Sequence, residues 1–270
     1  MRRMVSNIRR ILHLYRIFFR INLITQMMYR GGFLLIVIVS AFDVFLGLVF
    51  INVIYGHVVT IGDWNYTQAL VIIATSALID GLSWMTFRTF IRIDNLIRTG
   101  KFDYFLAYPV DAQILATISR MDLEDISRVV FGIGLLVYSL RVQDLPLGVI
   151  LPMIPLYIVM VFNALVIFYS LLVMIKSIAF WTVQTDRLNE LTFTFIDTTP
   201  YPMDIFGRIG RVFLTIVIPV TMIATFPARV LLGRDVIPLV ILSCLMAWLF
   251  ATVSRKIWTI SLKRYSSASS

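Results

Sequence analysis

Charge is scarce in this sequence: 14% of its 270 residues are charged, where an ordinary soluble domain carries about 25%. Cysteine is scarcer still. The single one, Cys244, can close no internal disulfide and anchor no metal cluster, so redox compartment stays open. The two histidines, His13 and His57, lie beyond opposite ends of the first long apolar run and cannot share a site. His13 reads as headgroup-facing and His57 as an ordinary loop residue. No HExxH, GxSxG or CxxC motif occurs. Gly100-Lys101 is followed by Phe102, and position 95 is asparagine rather than glycine. A Walker A loop is therefore missing, and with it any route to ATP hydrolysis through that fold. A basic soluble domain is missing too, which removes nucleic acid as the reason for the net charge of +9. Basic excess here means orientation and anionic lipid. What remains is apolar. The chain is 59% hydrophobic with mean hydropathy +0.89, the composition of an all-α, polytopic membrane protein with no room for a large soluble domain.

A helix needs about 20 apolar residues to cross a bilayer. The clearest candidates are Gly31 to Ile54, Thr67 to Phe87, Asp125 to Leu140, Val149 to Ile175 and Val236 to Val253. Val212 to Phe226 is shorter and holds Pro219. About six crossings follow, with both termini on one side. Every Lys and Arg except Arg141, Arg229 and Arg234 then falls on a single face, which the positive-inside bias makes cytoplasmic. The first apolar run is too long for the core of a cleavable signal. Three regions result: a cytoplasmic amphipathic segment over 1–30, a transmembrane domain over 31–255, and a cytoplasmic tail over 256–270 whose SSASS end has a disordered composition.

Residues 1–30 hold no acidic side chain. At about 100° per residue, Ile8, Ile11, Leu12, Tyr15, Phe18, Phe19 and Leu23 share an arc of about 140°. Arg9, Arg10, His13, Arg16 and Arg20 fall opposite. This separation predicts an interfacial helix, its apolar face in the acyl boundary and its arginines at the headgroups.

The loop after the second span, over residues 88–125, is too long for a mere connector. Arg88, Arg92 and Asp94 continue the span as a helix, and Gly100 is placed to stop it, because glycine tolerates the left-handed backbone past a helix end. "KFDYFLAYPVDAQ" follows, mixing Phe102, Tyr104, Phe105 and Tyr108 with Asp103 and Asp111. Pro109 biases Tyr108 away from helix and suits the start of the next one. A short helix along the membrane surface is expected, with aromatic knobs facing the cytoplasm. Aromatic residues rimmed by charge suit a protein contact; the bland alternative is a loop resting on headgroups.

The stretch "IRTGKFDYFLAYPVDAQ", residues 97–113, resembles a motif of a subgroup of bacterial ATP-binding-cassette permeases of the type-2 exporter class. It reads I-x-x-G-x-h-D-x-x-L-x-x-P-h, h being apolar, matched here by Ile97, Gly100, Phe102, Asp103, Leu106, Pro109 and Val110. A second similar block covers residues 201–233: Tyr201-Pro202, Ile205-Phe206, Arg211, Ile218-Pro219, Phe226-Pro227-Ala228 and Leu231-Leu232-Gly233. "SIAFW" at 177–181 also looks familial. Ala107-Tyr108 departs from the family, which often places a bulky apolar residue and a basic one there. The resemblance implies a coupling helix within about residues 91–112. Gly100, Phe102, Asp103, Tyr104, Phe105, Leu106 and Pro109 would dock on a separate ATPase. The chain itself would be no enzyme and bind no cofactor, with ATP and magnesium held by two partner ATPase subunits. A second permease, identical or related, would complete the membrane domain, and a heterodimer is favoured by habit of the subgroup. The location implied is the bacterial inner membrane. The resemblance also opens a second placement of the fifth crossing. Either residues 208–228 span, or 187–199 cross as a polar, tightly packed helix and 202–227 form a re-entrant hairpin on the outer side.

Asp43 and Asp80 fall mid-span, where an ionised carboxylate costs about 3 kcal/mol on insertion scales. Either they line a translocation path, or each makes a structural hydrogen bond to a neighbouring span. Asn52 and Asn163 are weaker cases. "ATSA" at 74–77 and "GIG" at 132–134 supply small residues for close helix contact, within the chain or with a second copy. Asp122, Glu124 and Asp125 either pair with Arg88 or Arg92, meet the ATPase, or are simply solvated. The competing class is a stand-alone secondary transporter or channel, which would show matched, interrupted spans in two halves; no such symmetry is visible. An intramembrane enzyme would need a cluster of nucleophiles, bases or ligands, and two aspartates are too few.

Overall fold

The computed structural model describes residues 2–28, 30–143, 146–182, 185–201 and 207–265. Every regular element among them is helical. In order these are α1 (Arg2–Met28), α2 (Arg30–Tyr55), α3 (Tyr66–Ile91), α4 (Ile93–Arg98), α5 (Asp103–Leu106), α6 (Ala112–Ser119), α7 (Ile126–Val142), α8 (Leu147–Ile150), α9 (Met153–Ser177), α10 (Thr185–Thr198), α11 (Arg208–Ile216), α12 (Thr225–Leu231) and α13 (Val236–Leu262). Four stretches among the described residues are long and apolar enough to cross a membrane: Gly31–Tyr55, Tyr66–Arg98, Met153–Phe180 and Val236–Leu262. The protein is thus an all-α polytopic membrane protein, as its composition requires.

Helix α3 is the axis of the bundle, with α7, α9, α2 and α12 packed around it. Its start is fixed locally. Asn65 Oδ1 accepts the Gln68 amide at 2.9 Å and Gln68 Oε1 accepts the Asn65 amide at 3.2 Å, a capping box that satisfies two otherwise orphaned donors. Close approach to α7 depends on two glycines. A Cβ on Gly81 would lie 2.8 Å from the Val129 amide nitrogen, and one on Gly132 would lie 2.7 Å from that of Leu78. The small residues at 74–77 and Gly132 therefore serve packing within the chain, while Gly134 faces open space.

The fifth crossing departs from a single helix over 208–228. Helix α11 stops at Ile216, Pro219 follows, and the chain restarts as the turn Val220–Met222 and then α12. Proline cannot donate the amide that would continue the ladder. From Val220 to Leu231 every side chain but one is buried, against α9, α3 and α13. Helix α10 runs beside α9, and Thr199 beyond its end meets Ser76 halfway along α3 at 2.8 Å. This broken course is not the single helix of the 208–228 placement; of the hairpin placement over 202–227, residues 202–206 lie outside the described residues.

Two ends of the bundle are distinct. At one, Arg229 and Arg234 flank the Trp64 ring at 5.6 and 5.9 Å, and Arg234 Nη1 donates to the Asp63 carbonyl at 3.0 Å. At the other sit α4 to α6, the last turn of α9 and the last turns of α13. Helix α1 reaches this second end, where Gln26 Nε2 donates to the Met121 carbonyl at 2.9 Å. On α1, Arg16 and Arg20 are exposed and Phe18 packs against the core. The side chains of Arg9 and Arg10 lie outside the described residues.

Candidate docking segment and charged cavity

The segment between α3 and α7 is a string of short, capped pieces. Gly100, at φ 70°, ends α4 as expected. Beyond it the Phe102 amide returns to the Leu96 carbonyl at 3.0 Å, and α5 is one turn long. Asp111 caps α6, accepting the amides of Gln113 at 3.0 Å and Ile114 at 3.2 Å. Arg255 of α13 donates to both oxygens of the same carboxylate. Burial opposes ionisation of Asp111, but the Arg255 hydrogen bond and the two amides outweigh it and hold the carboxyl below its ordinary value.

The aromatic residues of this segment do not all face outward. Phe102 is 0% exposed and Phe105 is 6% exposed, which corrects the expectation of outward knobs at these two positions. The physical reason is spacing: residues three apart share one face of a helical turn, and that face lies on the bundle. Phe102 makes edge contacts with Phe180, Trp258 and Tyr265 at ring distances of 5.5, 5.9 and 5.3 Å. The Tyr265 hydroxyl donates to Asp103 Oδ1 at 2.7 Å, so Asp103 is tied inward as well. Tyr104, Leu106, Tyr108 and Pro109 are exposed; the two tyrosines stack edge to face at 5.0 Å. The outward surface is thus a tyrosine–leucine ridge rooted by two phenylalanines.

The second feature is a cavity of about 930 Å³ walled by α2, α3, α7, α10 and residues 199–201. Asp43 and Asp80 both line it, and both are paired. Arg128 of α7 donates through Nη2 to Asp43 at 2.8 Å and through Nη1 to Asp80 at 2.9 Å, with Asp125 at 3.8 Å. The two sequence readings of these aspartates are not exclusive: the same carboxylates that cross-link three helices also face the cavity. Asp43 keeps half its side chain exposed, at 52%, while Asp80 keeps 20%. Asp122 pairs with Arg88 at 2.7 Å. Asp122 and Asp125 are each 6% exposed, which removes the reading of those two as solvated. Trp84 stacks on Phe193 at 6.1 Å with an interplanar angle of 20°, under Arg88 at 5.2 Å.

A third junction was not anticipated. Lys176, at the end of α9, is 0% exposed and meets Asp94 of α4 at 3.2 Å. Its Nζ also donates to Asn189 Oδ1 of α10 at 2.5 Å. The only sequence signal was a lysine directly after a long apolar run, which positive-inside bias explains without a partner.

No curated protein and no solved structure matches the chain significantly. The family model described as "ABC-2 family transporter protein" matches residues 41–269. That span takes in the candidate docking segment, the break at Pro219 and all of the cavity lining except Ile36 and Val39. The chain therefore belongs to the ABC-2 transporter family and is a multi-pass permease component of an ATP-binding-cassette transporter.

Proposed function

We propose that this chain is one permease of an exporter in the bacterial inner membrane, driven by separate ATPase subunits that dock on residues 97–113. The observation that carries the reading is the two-sided build of that segment. Tyr104, Leu106 and Tyr108 are 49%, 43% and 42% exposed, yet the turn beneath them is fixed by the buried Phe102 and Phe105. Force passes from one subunit to another only through such an anchored element. ATP and magnesium belong to the ATPase dimer. The end of the bundle carrying α4 to α6 is cytoplasmic, together with both termini, and Arg9, Arg10, Arg16 and Arg20 meet anionic headgroups there. Asp43 and Asp80 lie on the translocation path, and a second permease, preferably a related one, closes that path from the side of α2.

The test is a mild-detergent pull-down of the full chain from its host, with mass spectrometry of the co-purifying proteins. Tyr104→Ser combined with Leu106→Ser should lose the ATPase while the chain still inserts. These two residues are the right probes because they are exposed; Phe105→Ala would disturb the interior instead. Full retention of the ATPase with normal ATP turnover would sink the docking role. Isolation of the wild-type chain as a lone oligomer would favour a stand-alone channel or secondary transporter.

A further inference from the structure

A lysine with no exposed surface needs a reason. Burying an ammonium carries a desolvation penalty that one ion pair barely offsets, so such a pair is weak as a source of stability and better suited to fixing register. The surroundings of Lys176 supply that use. Its ammonium is shared between Asp94, itself 2% exposed, and Asn189. Asp94 stands in the first turn of α4, the helix leading into the docking turn. Asn189 stands in the second turn of α10. One turn further on, the same helix places Phe193 in the cavity wall. One side chain thus holds the element that would receive ATPase motion and the element that walls the cavity.

We propose that Lys176 is a positioning residue of the transport cycle, passing displacement of α4 to α10. This rests on the docking reading of residues 97–113. The bonds favour one arrangement: Nζ donates to two oxygens on different helices, so a shift of α4 either draws α10 along or breaks a buried hydrogen bond. Breaking it would leave the ammonium of Lys176, which has no exposed surface from which water could take the place of a lost oxygen, short of a partner, which makes joint movement the cheaper course. Asn189 suits the α10 side because its amide is neutral: it accepts from Lys176 without adding a second carboxylate.

The test uses the assembled transporter in lipid nanodiscs, in a Cys244→Ser background. Spin labels are placed by Asn95→Cys on α4 or Leu191→Cys on α10, each paired with Leu249→Cys on α13 as reference. Distances are read without nucleotide and with ATP-vanadate. In the wild-type frame both α4 and α10 should shift. Asn189→Ala leaves the Lys176–Asp94 pair intact, so folding and assembly should persist; the α4 shift should remain and the α10 shift should be lost. Lys176→Met with Asp94→Asn removes both buried charges together and should give the same pattern, with the ATPase still bound and basal ATP turnover retained. An unchanged α10 shift in both variants would overturn the proposal. If neither helix shifted in the wild-type frame although the ATPase was bound, the docking reading would fail first and the proposal with it.

Discussion

Helices α2 and α3 are each 26 residues long, both strongly apolar, and each carries one aspartate near its middle. They end in opposite environments. Over its most apolar window α3 is 61% buried by the chain and α2 only 11%. Helix α2 touches the bundle along a narrow stripe of Ser40, Val44, Gly47 and Ile51, spaced as one face of a helix. It turns Leu34, Ile38, Phe42 and Phe45 outward at 56–68% exposure. Helix α3 buries nearly every face. Hydropathy does not make this difference, since α2 is the more apolar of the two. Steric room does: α3 and α7 close on each other through Gly81 and Gly132, whereas a Cβ on Gly47 of α2 would meet nothing nearer than the Ile73 side chain at 3.7 Å. In lipid the apolar effect does not drive helices together, so packing at small residues decides which helix becomes central.

The sharpest test of that account is Gly132→Val. Its Cβ would meet the Leu78 amide nitrogen at 2.7 Å and Cα at 3.0 Å, and backbone cannot step aside as a side-chain tip can. The loss should reach about 3 kcal/mol or more, at the top of the overpacking range, read as a lower midpoint of thermal unfolding in detergent. Gly134→Val, one residue pair along the same helix and facing open space, should change the midpoint little. Equal effects at the two positions would break the packing argument.

Comparable in size is Arg128→Met. It leaves Asp43, Asp80 and Asp125 around a vacated cation, and removing one partner of a buried pair costs about 3–5 kcal/mol. Adding Asp80→Asn to that variant should recover part of the loss. If it recovered none, the guanidinium would act by packing alone. The aliphatic version of the contrast is Ile72→Ala on α3 against Phe45→Ala on α2. Ile72 is 0% exposed and Phe45 57%. The first should cost about 2–5 kcal/mol and the second no more than about 0.5 kcal/mol, both by the same unfolding assay.

Much of this arrangement could be read beforehand, and the unread part has a physical pattern. The positions of the four long apolar helices followed from length and hydropathy because each is a local property of one segment. Gly100 as a helix stop and Pro219 as a break in the fifth crossing were legible for the same reason. The inward turn of Phe102 and Phe105 was not read: Tyr108 continues their spacing of three and is 42% exposed, so spacing alone does not say which of the three meets the bundle. The Arg128 junction was not legible. Which of the cations between residues 88 and 128 meets Asp43 and Asp80 depends on how three helices are rotated, and side-chain chemistry in sequence order does not encode rotation. Lys176 with Asp94 and Asn189 was hidden likewise: each residue fits its own helix without the others.

The smallest expected difference discriminates best between α2 and α3. Asp80 and Asp43 hold Arg128 at nearly equal distances, 2.9 and 2.8 Å, so distance does not separate them; exposure does. Asp80→Asn keeps an acceptor but loses a charge-assisted bond in a mostly buried place, which should cost about 1–2 kcal/mol. Asp43→Asn makes the same chemical change on a half-exposed side chain and should cost less than about 1 kcal/mol. Both fall below Arg128→Met because the guanidinium keeps its other carboxylates. Measuring the pair twice sharpens the comparison, once on the isolated chain in detergent and once in the assembled transporter. An Asp43→Asn cost that stays small alone and rises on assembly would mean a second chain covers the open side of α2. Equal costs for the two variants in the isolated chain would mean that α2 is as enclosed as α3, and the contrast between them would fall.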